Sequence, residues 1–64
     1  MEILRIVLKN GEVKKFPWER VEFIYTDSGR VQVWEHGAQF NKKRGFLFSA
    51  NIENIDYVER VDET

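Results

Sequence analysis

His36 is the only histidine in the chain, and an imidazole is the side chain best suited to move protons or bind a metal near neutral pH. Either task needs partners. Cysteine is absent and only Glu35 stands beside it, so a metal site of three or four ligands has no local framework. The dipeptide His36-Gly37 reads as a turn, which leaves the ring solvated and without the orienting contacts of a general acid or base. The carboxylate pairs Glu19/Glu22 and Asp27/Glu35 carry little information in a chain that is 33% charged. No glycine-rich phosphate loop, nucleophile elbow or His-Glu-x-x-His run occurs. These residues point away from an enzyme, with no catalytic group, cofactor or metal expected.

Two other sets of residues could bind rather than react. Lys42, Lys43 and Arg44 are consecutive, and Phe40 lies just before them. Cations beside an aromatic can clamp phosphates and stack a base, as single-stranded RNA or DNA requires. The net charge of −1 opposes this reading, because general attraction to nucleic acid needs a basic surface. The second set is Trp18, Tyr25, Trp34 and Phe40. Two tryptophans and two spare aromatics exceed what one small core holds, and aromatic anchors characterise protein interfaces. Ile3, Val7 and Ile24 add apolar groups on faces that alternation turns outward. The favoured expectation is therefore a protein partner, or a second copy in a homodimer, met through an aromatic-bearing sheet face. Nucleic-acid binding through Phe40, Lys42, Lys43 and Arg44 is the alternative.

Short strands must position these residues. Leu4, Ile6 and Leu8 alternate with Ile3, Arg5 and Val7, the period of a strand. Asn10-Gly11 then signals a hairpin, and a two-residue type I′ turn would set Lys9 opposite Glu12 and Leu8 opposite Val13. That register places Lys15 on the Leu4/Ile6 face. Pro17 has no N–H for a ladder, so the return strand should end near Phe16. Val21, Phe23 and Tyr25 alternate as a further strand, Asp27-Ser28-Gly29 turns the chain, and Val31 and Val33 face inward on the way back with Trp34 outward. Phe46, Phe48 and Ala50 share one face of the next strand. Asn51 to Asn54 suits a single 3₁₀ turn, and Ile55, Tyr57 and Val61 share an apolar face of the last strand.

Sixty-four residues make one domain, residues 1–64, near the lower limit for a self-sufficient core. Without cysteine there is no disulfide framework of the kind secreted domains of this size use. The start Met1-Glu2-Ile3-Leu4-Arg5 lacks a signal peptide's apolar run, and no stretch approaches a membrane span, so a cytoplasmic setting is expected. A sheet this small must roll up to bury its faces. The expected fold is all-β: a small five-stranded SH3-like or Sm-like barrel with one 3₁₀ turn before the last strand.

Two partial resemblances concern that fold. Phe48-Ser49-Ala50-Asn51-Ile52-Glu53-Asn54-Ile55-Asp56-Tyr57-Val58 resembles the end of an SH3 domain, where a 3₁₀ turn leads into a strand bearing a Tyr-Val pair. The family's Ala-Leu-Tyr-Asp-Tyr start and acidic loop are missing. Leu4 to Gly11 is similar to the first motif of Sm-like RNA-binding proteins. Ser49-Ala50 stands where that family has Arg-Gly, and the Asp27 turn lacks its base-stacking Asn. The resemblances imply an architecture and carry over no ligand site.

Overall fold

A computed structural model of the protein describes residues 1–37 and 45–63. Six strands rather than five make up the all-β fold: β1 (Glu2–Leu8), β2 (Val13–Pro17), β3 (Val21–Tyr25), β4 (Arg30–Glu35), β5 (Phe46–Asn51) and β6 (Ile55–Asp62). They form two three-stranded antiparallel sheets, in the orders β2–β1–β6 and β3–β4–β5. Among the described residues no strand pairing joins the sheets, so the expected closed barrel is not formed. The 3₁₀ turn expected before the last strand is present at Ile52–Asn54, and Asn51 caps it by accepting from the Glu53 N–H. A second 3₁₀ turn, Trp18–Arg20, carries the chain from the first sheet to the second just after Pro17.

The first hairpin corrects the expected register. The Leu8 N–H donates to the Glu12 carbonyl at 2.8 Å, and the Gly11 N–H to the Leu8 carbonyl at 3.0 Å. The loop thus holds three residues, Lys9-Asn10-Gly11, of which only Gly11 has a positive φ, at 94°. A type I′ turn would need Asn10 there as well. Asn10 instead stays on the ordinary side of φ, and its Oδ1 accepts from the Glu12 N–H at 2.9 Å. The extra loop residue slides β2 by one position against β1, pairing Val7 with Val13 and Leu4 with Phe16. A one-residue slip exchanges the two faces of a strand. Phe16 therefore joins the core face beside Leu4, and Lys15 moves outward opposite Arg5, with its Nζ 2.9 Å from Glu63. The β3–β4 hairpin repeats this design with Asp27-Ser28-Gly29, where Gly29 has a φ of 81°.

Two bulges correct the faces of the last strands. Val33 pairs with Phe48 but Trp34 with Phe46, which makes Leu47 the extra residue. Phe48 and Ala50 consequently pack on the core while Phe46 sits on the outer face with Trp34. Similarly, Val7 pairs with Tyr57 but Leu8 with Ile55, so Asp56 is extra. Ile55 points inward, and Tyr57 and Val61 outward with Ile3 and Val7. Alternation alone misses a bulge, because one inserted residue resets the period.

The core lies between the central strands. Leu4 and Ile6 of β1 meet Val31 and Val33 of β4, with Ile55 of β6 completing the buried cluster. Ile6 and Val33 are wholly enclosed. Phe16 of β2 and Phe48 of β5, with ring centroids 6.2 Å apart, cover one side of this cluster. Among the described residues no such pair covers the side where β3 and β6 face each other.

Candidate interaction surface

Along that uncovered side runs an open cleft. Leu4, Trp18, Val21 and Phe23 line a depression of ≈ 300 Å³. An adjoining one of ≈ 200 Å³ adds Val58, Glu59 and Arg60 of β6. Trp18 reaches it because Pro17 and the 3₁₀ turn swing the indole back over the core. The Arg60 guanidinium lies 4.6 Å from the Trp18 ring centroid and pairs with Glu2, which fixes one wall. The opposite wall is β3. Phe23 and Tyr25 lie on its core-facing side, opposite Val33 and Val31, yet remain 43% and 61% exposed. Val58 is partly exposed across the gap. A contiguous apolar strip of this kind is where a domain gains most by covering itself.

Backbone polarity is also presented here. The hairpin bond from the Thr26 N–H to the Arg30 carbonyl, and the bond from the His36 N–H to the Arg20 carbonyl, set the parity of the β3–β4 ladder. In an antiparallel pair, hydrogen-bonded and non-bonded positions alternate. Glu22 and Ile24 therefore turn their N–H and C=O groups toward β4, while Val21, Phe23 and Tyr25 turn theirs to the free edge. Among the described residues, the three on the cleft side are also those whose backbone has no strand partner.

The other edges are protected. β2 carries Lys14, Lys15 and Pro17, β5 has the Leu47 bulge, and β6 has the Asp56 bulge with Glu59, Arg60 and Asp62. Lysines, prolines, bulges and charges are the devices that keep edge strands from pairing with other chains. β3, Val-Glu-Phe-Ile-Tyr, has only Glu22.

Of the aromatic residues singled out in the sequence, the three described ones, Trp18, Tyr25 and Trp34, do not form one surface. Trp34 is on the outer face of its sheet as expected, but edge-on to Phe46 at 5.2 Å and with its Nε1 donating to Gln32 Oε1. Tyr25 occupies the opposite face, and Trp18 lines the cleft. Phe40, Lys42, Lys43 and Arg44 lie outside the described residues. His36 is exposed in its turn, with Nδ1 3.2 Å from Glu22 Oε1; Glu22 Oε2 is buried without a partner. Among the described residues no three His, Asp or Glu side chains are grouped to hold a metal ion, and no helix is long and apolar enough to cross a membrane. Of the cleft-lining residues sequence reading singles out Trp18 alone, and Leu4, Val21, Phe23, Val58, Glu59 and Arg60 are missed as site residues. The alternation Val21/Phe23/Tyr25 marks that face of β3 as apolar, but no local signal says that β3 lacks a second neighbour among the described residues.

The outer face of the β2–β1–β6 sheet forms three rows across the strands: Val13–Val7–Tyr57, Lys15–Arg5–Glu59 and Pro17–Ile3–Val61. Arg5 is paired with Glu59, and that hydrogen bond is the main cause raising the guanidinium pKa above its ordinary value.

No protein-family model, curated protein or solved structure matches the chain.

Proposed function

We propose that the protein is a non-enzymatic interaction module that captures an extended segment of a partner protein by strand addition at β3. The observation that carries this reading is the coincidence at one edge of backbone without a strand partner among the described residues and exposed aromatic side chains, at Phe23 and Tyr25. An added strand would bond to the free N–H and C=O groups of Val21, Phe23 and Tyr25. Its alternate side chains would enter the cleft against Trp18, Leu4 and Val58. Main-chain bonds give such complexes affinity, and pockets for every second side chain give them selectivity. The preferred segment is apolar at alternate positions. The order of elements, with the last strand leaving a 3₁₀ turn to pair with the first, supports an SH3-like arrangement left open at this edge.

The test is selection of a displayed library of eight-residue extended peptides on the wild-type protein, with Tyr25→Pro as counter-screen. Proline at position 25 removes an N–H from the free edge while sparing the ladder to β4. Peptides with alternating apolar residues that bind wild type and lose at least tenfold on Tyr25→Pro are expected. Equal binding to both proteins overturns the reading.

A further inference from the structure

The three rows on the outer face of the β2–β1–β6 sheet have a symmetry that the strand-capture reading does not use. Both outer rows are apolar from end to end: Val13, Val7 and Tyr57 in one, Pro17, Ile3 and Val61 in the other. Between them the charged row runs from cationic at β2 to anionic at β6, as Lys15, Arg5 and Glu59. From this pattern we infer that the face docks on the same face of a second copy, about a two-fold axis parallel to β1.

A rotation about that axis keeps each row at its height along the strands and reverses it from side to side. Every apolar row then lies on its own counterpart. Val7 meets the partner's Val7, Ile3 meets the partner's Ile3, and Val13 covers the partner's Tyr57. The charged row becomes complementary, since Lys15 falls opposite the partner's Glu59 and Glu59 opposite the partner's Lys15. Arg5 falls on the axis, where its own Glu59 already neutralises it. Other two-fold arrangements forfeit part of this match. An axis perpendicular to the strands in the plane of the face sets Lys15 of one copy over Lys15 of the other, and Glu59 over Glu59. Isologous packing of one patch on itself is the commonest way small proteins pair, and sheets stack face to face at about 10 Å with nearly aligned strands.

Size sets the strength. Three strands and three rows cover roughly 14 by 20 Å at ordinary sheet spacings. Two such faces bury on the order of 1,000 Å² or less, at the low end for specific interfaces. The dimer is thus a weak one.

Sedimentation velocity of the full chain from about 10 µM to 1 mM tests this, with circular dichroism confirming that each variant is folded. The wild type is expected to pass from monomer to dimer over that range. Val7→Lys brings two charges together at the axis and is expected to weaken the dimer at least tenfold. Lys15→Glu alone sets like charges opposite each other and weakens it as well. The double exchange Lys15→Glu with Glu59→Lys restores the charge match across the interface and leaves Arg5 a carboxylate neighbour, while Glu63 loses its Lys15 partner, so association is expected at least tenfold tighter than with Lys15→Glu alone. A strict monomer at 1 mM overturns the inference. So does a dimer indifferent to Val7→Lys, or a double exchange no better than Lys15→Glu. A dimer lost only on Tyr25→Pro, with Val7→Lys silent, would instead assign self-association to the β3 edge.

Discussion

Replacing Phe16 by Ala and, separately, Lys15 by Ala reads the register of the first hairpin directly, because the two possible turns put different residues in the core. In the three-residue loop Phe16 packs on the core opposite Leu4, with Phe48 6.2 Å away, while Lys15 is at the surface. Truncating a buried Phe costs about 3–5 kcal/mol. Phe16 is only half-buried, which brings this to roughly 2–3 kcal/mol, including a share of the aromatic contact. A chain of this length has about 3–10 kcal/mol of total stability, so Phe16→Ala removes a large part. At about 4–8 °C per kcal/mol for small domains, its melting temperature should fall by roughly 10–20 °C. Lys15→Ala loses one exposed ion pair with Glu63 and should change stability by no more than about 0.5 kcal/mol. Urea unfolding followed by tryptophan fluorescence measures both. In a two-residue type I′ turn the order reverses: Phe16 faces solvent and Lys15 faces Leu4 and Ile6. A Phe16→Ala protein as stable as wild type would refute the register, and with it the assignment of faces on the first sheet.

The loop glycines give a second test. Gly11 and Gly29 have φ values of 94° and 81°; a Cβ at Gly11 meets nothing within 4 Å and one at Gly29 meets only Ile52 Cγ2 at 3.8 Å. Alanine at either site should therefore cost the backbone strain alone, about 1–2 kcal/mol in urea unfolding, and equal losses are expected at both. The nucleic-acid alternative is tested by fluorescence anisotropy with a mixed-sequence single-stranded oligonucleotide. No binding is expected to persist at about 150 mM salt; retention there, abolished by Lys42→Ala with Lys43→Ala, would reverse the ranking of partners.

Most of the strand content is legible in the sequence, since alternation at Leu4/Ile6/Leu8, Val21/Phe23/Tyr25 and Val31/Val33 is set locally by which face is buried. The β1–β2 and β3–β4 hairpins are announced by Gly11 and Gly29. What escapes is anything decided by one residue more or fewer. Asn10-Gly11 fits a two-residue turn as well as a three-residue one, and the choice decides whether Phe16 or Lys15 enters the core. Leu47 and Asp56 look like ordinary alternating positions, but each bulges and sends Phe46 or Tyr57 to the outside. The aromatic surplus is visible in composition. Its division is not, because Trp34 settles against Phe46 on one face while Trp18 and Phe23 line a cleft elsewhere. That cleft exists because, among the described residues, β3 has one neighbour and β6 does not reach it, a property of the sheet order rather than of any segment.

Amide hydrogen exchange across β3, read residue by residue by NMR with and without a selected peptide, tests strand capture most directly. In the free protein, the account predicts slow exchange at Glu22 and Ile24, whose N–H groups bond to β4, and fast exchange at Phe23 and Tyr25. On binding, Phe23 and Tyr25 should gain at least tenfold protection while Glu22 and Ile24 change little. Protection already present at Phe23 and Tyr25 in the free protein, or a bound peptide that leaves both unprotected, would contradict it.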